Sequence, residues 1–216
     1  MKSLVFRRYL LMFFAVCINA FGIVFIIKAA LGSSPISTVP YVMSLVTPLS
    51  FGGYTFILNI AFILIEMALM GKERVRARKY DLMCQIPIVV VFSSFTDISM
   101  YLLRNFNPTT YWEMVVSLVV GCVILAIGIG WAVKANVSMN PGEYLVNVIS
   151  KRFNHVFGNV KLCFDTTCVI VAIILSLTLL HAIEGIREGT IISALLVGPL
   201  ERLFTPVWNI FNRFLS

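Results

Sequence analysis

"FGIVFIIKAALGSSPISTVPYVMS", residues 21–44, sets a lysine and a helix-breaking run inside an otherwise uncharged region. Between Tyr9 and Ile65 the only formal charge is Lys28, and Gly32, Ser33, Ser34 and Pro35 follow it within seven residues. The stretch returns once. Offset by 106 residues, "IGIGWAVKANVSMNPGEYLVNVIS" (127–150) lies over it without a gap. Gly22 falls on Gly128, Lys28 on Lys134, Ala29 on Ala135, Pro35 on Pro141 and Ser44 on Ser150. Phe51-Gly52 then falls on Phe157-Gly158, and nine of the 31 positions from 22 to 52 are identical. A lysine, a proline and a Phe-Gly kept in one register mark an internal repeat.

Composition sets the solvent. The chain has 216 residues, 59% hydrophobic and 12% charged. Water-exposed domains carry about a quarter charged residues, so this chain lacks the polar material to cover a globule. Its surroundings are lipid. About 20 apolar residues cross a bilayer core of about 30 Å, and six spans read out near 9–31, 53–70, 83–103, 112–134, 162–181 and 189–206. The first has no small-residue cleavage site and is a retained helix rather than a signal.

Two shorter helical segments, 35–47 and 141–153, remain. If each crossed the membrane, the basic run Lys72, Arg74, Arg76, Arg78 and Lys79 would fall outside, against the positive-inside rule. Each therefore enters and leaves on one face, or lies along it. With the N-terminus in the cytoplasm, inner loops hold twelve basic residues (from Lys2 to Arg213) and outer loops hold Arg104 and Arg187. Both termini are then cytoplasmic. Tyr111 and Trp112, and Trp208 with Phe211, are interfacial aromatics that agree.

Each repeat holds three spans, an odd number, so the second enters the membrane from the opposite side. The expected fold is all-α: six transmembrane helices as two inverted 3+3 repeats, residues 1–106 and 107–216, each with a short re-entrant or interfacial helix. Folds of this kind bind substrate between the repeats, where broken helices meet. A weaker correspondence, offset by 105, sets Thr96 over Glu201 and Asp97 over Arg202.

The Gly-x5-Lys-x6-Pro pattern, present twice, and "REGTIISALLVGPL" (187–200) resemble the YitT/YczE-like family of bacterial inner-membrane proteins. The resemblance covers nearly the whole chain and implies a multi-pass bacterial inner-membrane location and a transport role. It implies no substrate.

Ionisable residues inside spans cost about 2.5–3.5 kcal/mol each on insertion scales. Here they are Lys28, Glu66, Asp97, Lys134, Asp165 and Glu201. The lysines either snorkel to head groups or serve a site. Ser34-Pro35 and Asn140-Pro141 read as two helix starts, with proline at the first position and a capping residue before it. Helix starts attract anions, so the expected substrate-binding set is Lys28, Ser33, Ser34, Pro35, Lys134, Asn140 and Pro141. Asp97, Asp165 and Glu201 are the expected coupling or gating groups. Under the inverted topology Lys28 can meet Asp97, and Lys134 can meet Glu201, as structural glue, as proton-linked gates or as neither; Asp165 lies near Lys161.

No H-E-x-x-H, G-x-S-x-G or P-loop is present, so the chain is not read as an enzyme. The five cysteines form no CxxC, and His155 and His181 lie far apart, so neither metal nor cofactor is expected. The basic balance of +7 belongs to topology and to lipid head groups, not to nucleic acid. The expected partners are membrane lipid, a small-molecule or ion substrate, and further copies in a homo-oligomer. Three roles fit: a secondary transporter or permease for a small solute, with an anion favoured; the membrane substrate-binding subunit of a multi-component importer; or a non-transporting sensor or scaffold.

Overall fold

The computed structural model of the chain describes residues 2–208, so Phe211 and Arg213 lie outside the described residues. Among those described, the chain is entirely helical. Six helices are long: α1 (Lys2–Lys28), α3 (Phe51–Met70), α5 (Lys79–Leu102), α6 (Tyr111–Ala135), α8 (Phe157–Leu179) and α9 (Glu188–Trp208). Three are short: α2 (Pro35–Val46), α4 (Lys72–Ala77) and α7 (Pro141–Phe153). All of the long ones except α9 are apolar enough to cross a bilayer; Glu201 and Arg202 interrupt α9.

Helices α1, α5 and α8 begin four to seven residues before the apolar runs that mark them, at 2, 79 and 157 rather than 9, 83 and 162. Hydropathy reports contact with lipid, whereas backbone hydrogen bonding carries a helix a turn or two beyond it. For the same reason the basic run after Gly71 contains the helical turn α4, where a loop was expected.

The surface is apolar and part of the interior is polar. Phe14, Ile57, Leu64, Ile98, Ile174 and Leu195 are exposed, while Asn19, Ser33, Glu66, Gln85 and Thr96 are buried. Water would reverse this distribution. Lipid solvates the outer ring, so the chain is an all-α, multi-pass membrane protein.

Helices α1 and α6 form the central pair. A Cβ on Gly22 would stand 2.7 Å from the backbone nitrogen of Leu125, and one on Gly128 would stand 2.9 Å from that of Asn19. A Cβ on Gly121 would strike Ile26. As the number rises along α1 (19, 22, 26) it falls along α6 (128, 125, 121), so the two run antiparallel. Glycines let these backbones approach closely, which is how membrane helices associate without a hydrophobic drive. Both helices then stop alike: Ala30 and Asn136 each adopt left-handed backbone, at φ of 60° and 49°. Lys28 and Lys134 each lie in the last turn of a helix, six residues past the crossing glycine, roughly 9 Å at 1.5 Å per residue.

Around this pair, α5 packs along α1 and α9 along α6, while α2 packs on α8 and α7 on α3. Helix α3 also packs on α5. The start of α9 is fastened to the turn after α1: Gly189 N–H donates to Leu31 O (2.8 Å) and Arg187 donates to Ala30 O (3.1 Å).

Candidate functional site

The two short helices open on prolines. Ser34 and Asn140 are the cap residues, both with extended backbone, and Pro35 and Pro141 occupy the first turns. Neither cap side chain accepts a hydrogen bond from its own helix. The first N–H groups of a helix lack intrahelical partners, so each start keeps donors that its cap does not fill. Ser34 Oγ instead donates to Ser37 Oγ (2.9 Å), and Ser33 is fully buried beside it.

These starts approach each other. A Cβ on Gly142 would stand 3.5 Å from Ile36 Cδ1 and 3.5 Å from the Phe62 ring. Phe62, midway along α3, also stacks edge-on against Phe164 of α8, with centroids 5.4 Å apart. The Ile36 side chain, second in α2, thus reaches the space a side chain at Gly142, second in α7, would enter, beside the middle of α3. Glycine at 142 leaves this meeting point open. Of the residues expected at the two helix starts, Ser33 and Pro35 are buried on one side and Pro141 on the other.

The charges are distributed unequally about it. Glu143, in the first turn of α7, lies within electrostatic reach of Lys161, Glu201 and Asp165. Lys161 Nζ is 3.4 Å from Asp165 Oδ2, and Asp165 Oδ1 is buried without a hydrogen-bond partner. Three carboxyl groups and one lysine therefore converge from α7, α8 and α9. The positions 106 residues earlier are Ser37, Thr55, Asn59 and Phe95, all neutral. Two of these bond to their own helix, Thr55 to Phe51 O and Asn59 to Thr55 O. Glu143 is absent from the residues expected from sequence, since an acid in a first turn reads as a complement to the helix dipole. Its register over neutral Ser37 is the signal that sets it apart.

Asp97 departs from its expected pairing. Its Oδ1 accepts from Gly52 N–H (2.7 Å) and its Oδ2 from Ser50 Oγ (2.7 Å), while Ser50 Oγ accepts from Gly53 N–H (3.0 Å). The carboxylate thus covers the start of α3, where a negative charge is favoured by free N–H groups. That start is the stronger competitor because its donors are fixed 2.7 Å away. Lys28, partly buried at the end of α1, forms no ion pair with Asp97. Lys134 is partly buried in the last turn of α6. Leu200 packs against the cluster that includes Leu125 and Ile129.

The corresponding contact between α8 and α9 is not made. A Cβ on Gly52 would strike Ser93 O and stand 2.6 Å from Asp97 Cγ, whereas one on Gly158 would meet nothing within 4 Å. Helix α3 is therefore locked to α5, and the start of α8 stands clear of α9.

A family model matches residues 6–206 and is described as a family of unknown function, DUF6198. The chain belongs to this family. Neither a curated protein nor a solved structure matches it. Membership in DUF6198 carries no substrate, so the functional reading rests on the site.

Proposed function

We propose that this DUF6198 chain is a six-span secondary transporter or permease of a bacterial inner membrane, as the resemblance to YitT/YczE-like proteins implies. It moves a small anion, accompanied by protons, past the meeting point of α2 and α7. The observation that carries the reading is the approach of the Ile36 side chain to Gly142, each the second residue of a proline-started short helix, beside Phe62 at the middle of α3. Broken helices that meet between two halves are where such folds hold substrate. Converging N-termini favour an anion. An anion arriving there also meets Glu143, Asp165 and Glu201, so part of their charge has to be neutralised at the same time. Protons supply that neutralisation.

Two inverted repeats account for the packing. The pairs Gly22–Leu125 and Gly128–Asn19 exchange when every number moves by 106. Ile26, Ala29, Leu118 and Cys122 form one cluster. Their counterparts Ala132, Ala135, Met12 and Val16 pack together in another. This symmetry makes α9, despite Glu201 and Arg202, the counterpart of α5 and the sixth span. With both termini cytoplasmic, the Asp97 lock closes the outer side and the gap between α8 and α9 opens the inner one. Arg202, set over Asp97 by the weaker register, brings a positive charge where the start of α8 would need a negative one.

Uptake by purified protein in liposomes, with and without a proton gradient, tests the reading. Accumulation of a small anion driven by an inward proton gradient is expected. Binding of a solute with no movement under any gradient would overturn it and favour the binding subunit of an importer.

A further inference from the structure

Glu66 and Gln85 face each other between α3 and α5, and both side chains are completely buried. Neither oxygen of Glu66 and neither polar atom of Gln85 forms a hydrogen bond. These are four polar atoms without partners, on two facing side chains, in the membrane-spanning part of the chain. Among the described residues no ion pair reaches Glu66. Arg78, before α5, donates to Tyr144 Oη, and Arg152 of α7 donates to Leu69 O. Glu73 and Arg76 of α4 are exposed, and α2 contributes no charged residue. The Gln85 amide lies close enough to act on the carboxyl, but not in hydrogen-bonding geometry.

The chemistry of the pair selects a ligand. A carboxylate accepts only, whereas a primary amide has two donors and one acceptor. If Glu66 is ionised, the amide oxygen of Gln85 has no donor and the charge is buried without a counterion, which is the costlier arrangement. If Glu66 is protonated, its O–H donates to Gln85 Oε1 while its carbonyl oxygen accepts from Gln85 Nε2. Both groups are then satisfied in one two-point pair. A metal ion needs more oxygens than the three available here. The residue 106 positions after Glu66 is Ala172, also buried, so this helix position does not need an acid in order to pack.

We propose that Glu66 and Gln85 form a proton-binding site, in which a protonated Glu66 is hydrogen-bonded to the Gln85 amide, and that this proton is among those exchanged during transport. Binding forms the Glu66 O–H bond with a proton from water; release returns the proton and leaves the carboxylate. The second half of the statement rests on the permease reading; the first does not.

Infrared difference spectra of the full chain in lipid, wild type minus Glu66→Gln, test the site itself. A protonated-carboxyl C=O band at neutral pH is expected, and Gln85→Leu should shift it. Absence of the band, or a band indifferent to Gln85→Leu, would overturn the pairing. Glu66→Gln keeps the two-point amide geometry and should fold. In liposomes it should retain solute exchange down a gradient and lose accumulation driven by a proton gradient. Undiminished proton-driven accumulation by Glu66→Gln would overturn the transport role. If the wild type moves nothing, the permease reading fails while the infrared result still decides the site.

Discussion

Gly52 and Gly158 occupy the same place in the repeated Phe-Gly, and alanine should act on them with opposite sign. At Gly52 a new Cβ would lie 2.6 Å from both Cγ and Oδ2 of Asp97, and would also strike the backbone oxygen of Ser93. Ordinary contacts between non-bonded heavy atoms begin near 3.5 Å, so Asp97 has to withdraw by about 1 Å. Its 2.7 Å bond from Gly52 N–H is then lost. A hydrogen bond to a charged group contributes about 1.5–3 kcal/mol, and overpacking adds about 1–3 kcal/mol. Alanine returns at most about 1 kcal/mol in helix propensity. Gly52→Ala should therefore destabilise by roughly 2–4 kcal/mol. At Gly158 nothing lies within 4 Å, so only the propensity changes. Gly158→Ala should be neutral or stabilise by up to about 1 kcal/mol. Equilibrium unfolding of the detergent-solubilised variants, followed by helical circular dichroism, measures both. Adding Asp97→Ala to Gly52→Ala should cost less than Asp97→Ala alone, because its partner bond is already broken. Equal shifts at the two glycines would refute the idea that Asp97 locks α3 to α5.

Position 142 and the topology offer two further tests. A Cβ at 142 falls at ordinary contact distance from Ile36 and Phe62, so Gly142→Ala should change stability by less than about 0.5 kcal/mol. Gly142→Leu fills the meeting point and should abolish uptake at retained expression; full activity in Gly142→Leu would exclude a path between α2 and α7. Pro48 and Asn154, exposed just past the ends of α2 and α7, should react as cysteines with membrane-impermeant reagents from opposite sides. Labelling of both from one side would rule out inverted repeats.

Much of the architecture is legible without coordinates because lipid imposes it. Long apolar runs must be helical in a medium that cannot hydrogen-bond the backbone. Pro35 and Pro141, after Ser34 and Asn140, mark where α2 and α7 start. The site is less legible. Asp97 reads as a partner for Lys28, yet it covers the start of α3, because the contest between a lysine and a helix terminus is decided by distance. Glu143 hides in a first turn, and Glu66 gains its meaning only from Gln85 across a helix interface.

The sequence by itself determines that the chain lives in lipid, which segments are helical, where the short helices begin, and that its first half is echoed in its second. Those properties follow from local composition and spacing. Only the tertiary structure decides that Ile36 reaches toward Gly142, that the start of α3 is held by Asp97 of α5, and that an acid and an amide share a buried interface. Such contacts join residues from 19 to 106 positions apart, and they depend on helix crossings set by glycines whose neighbours no local pattern names.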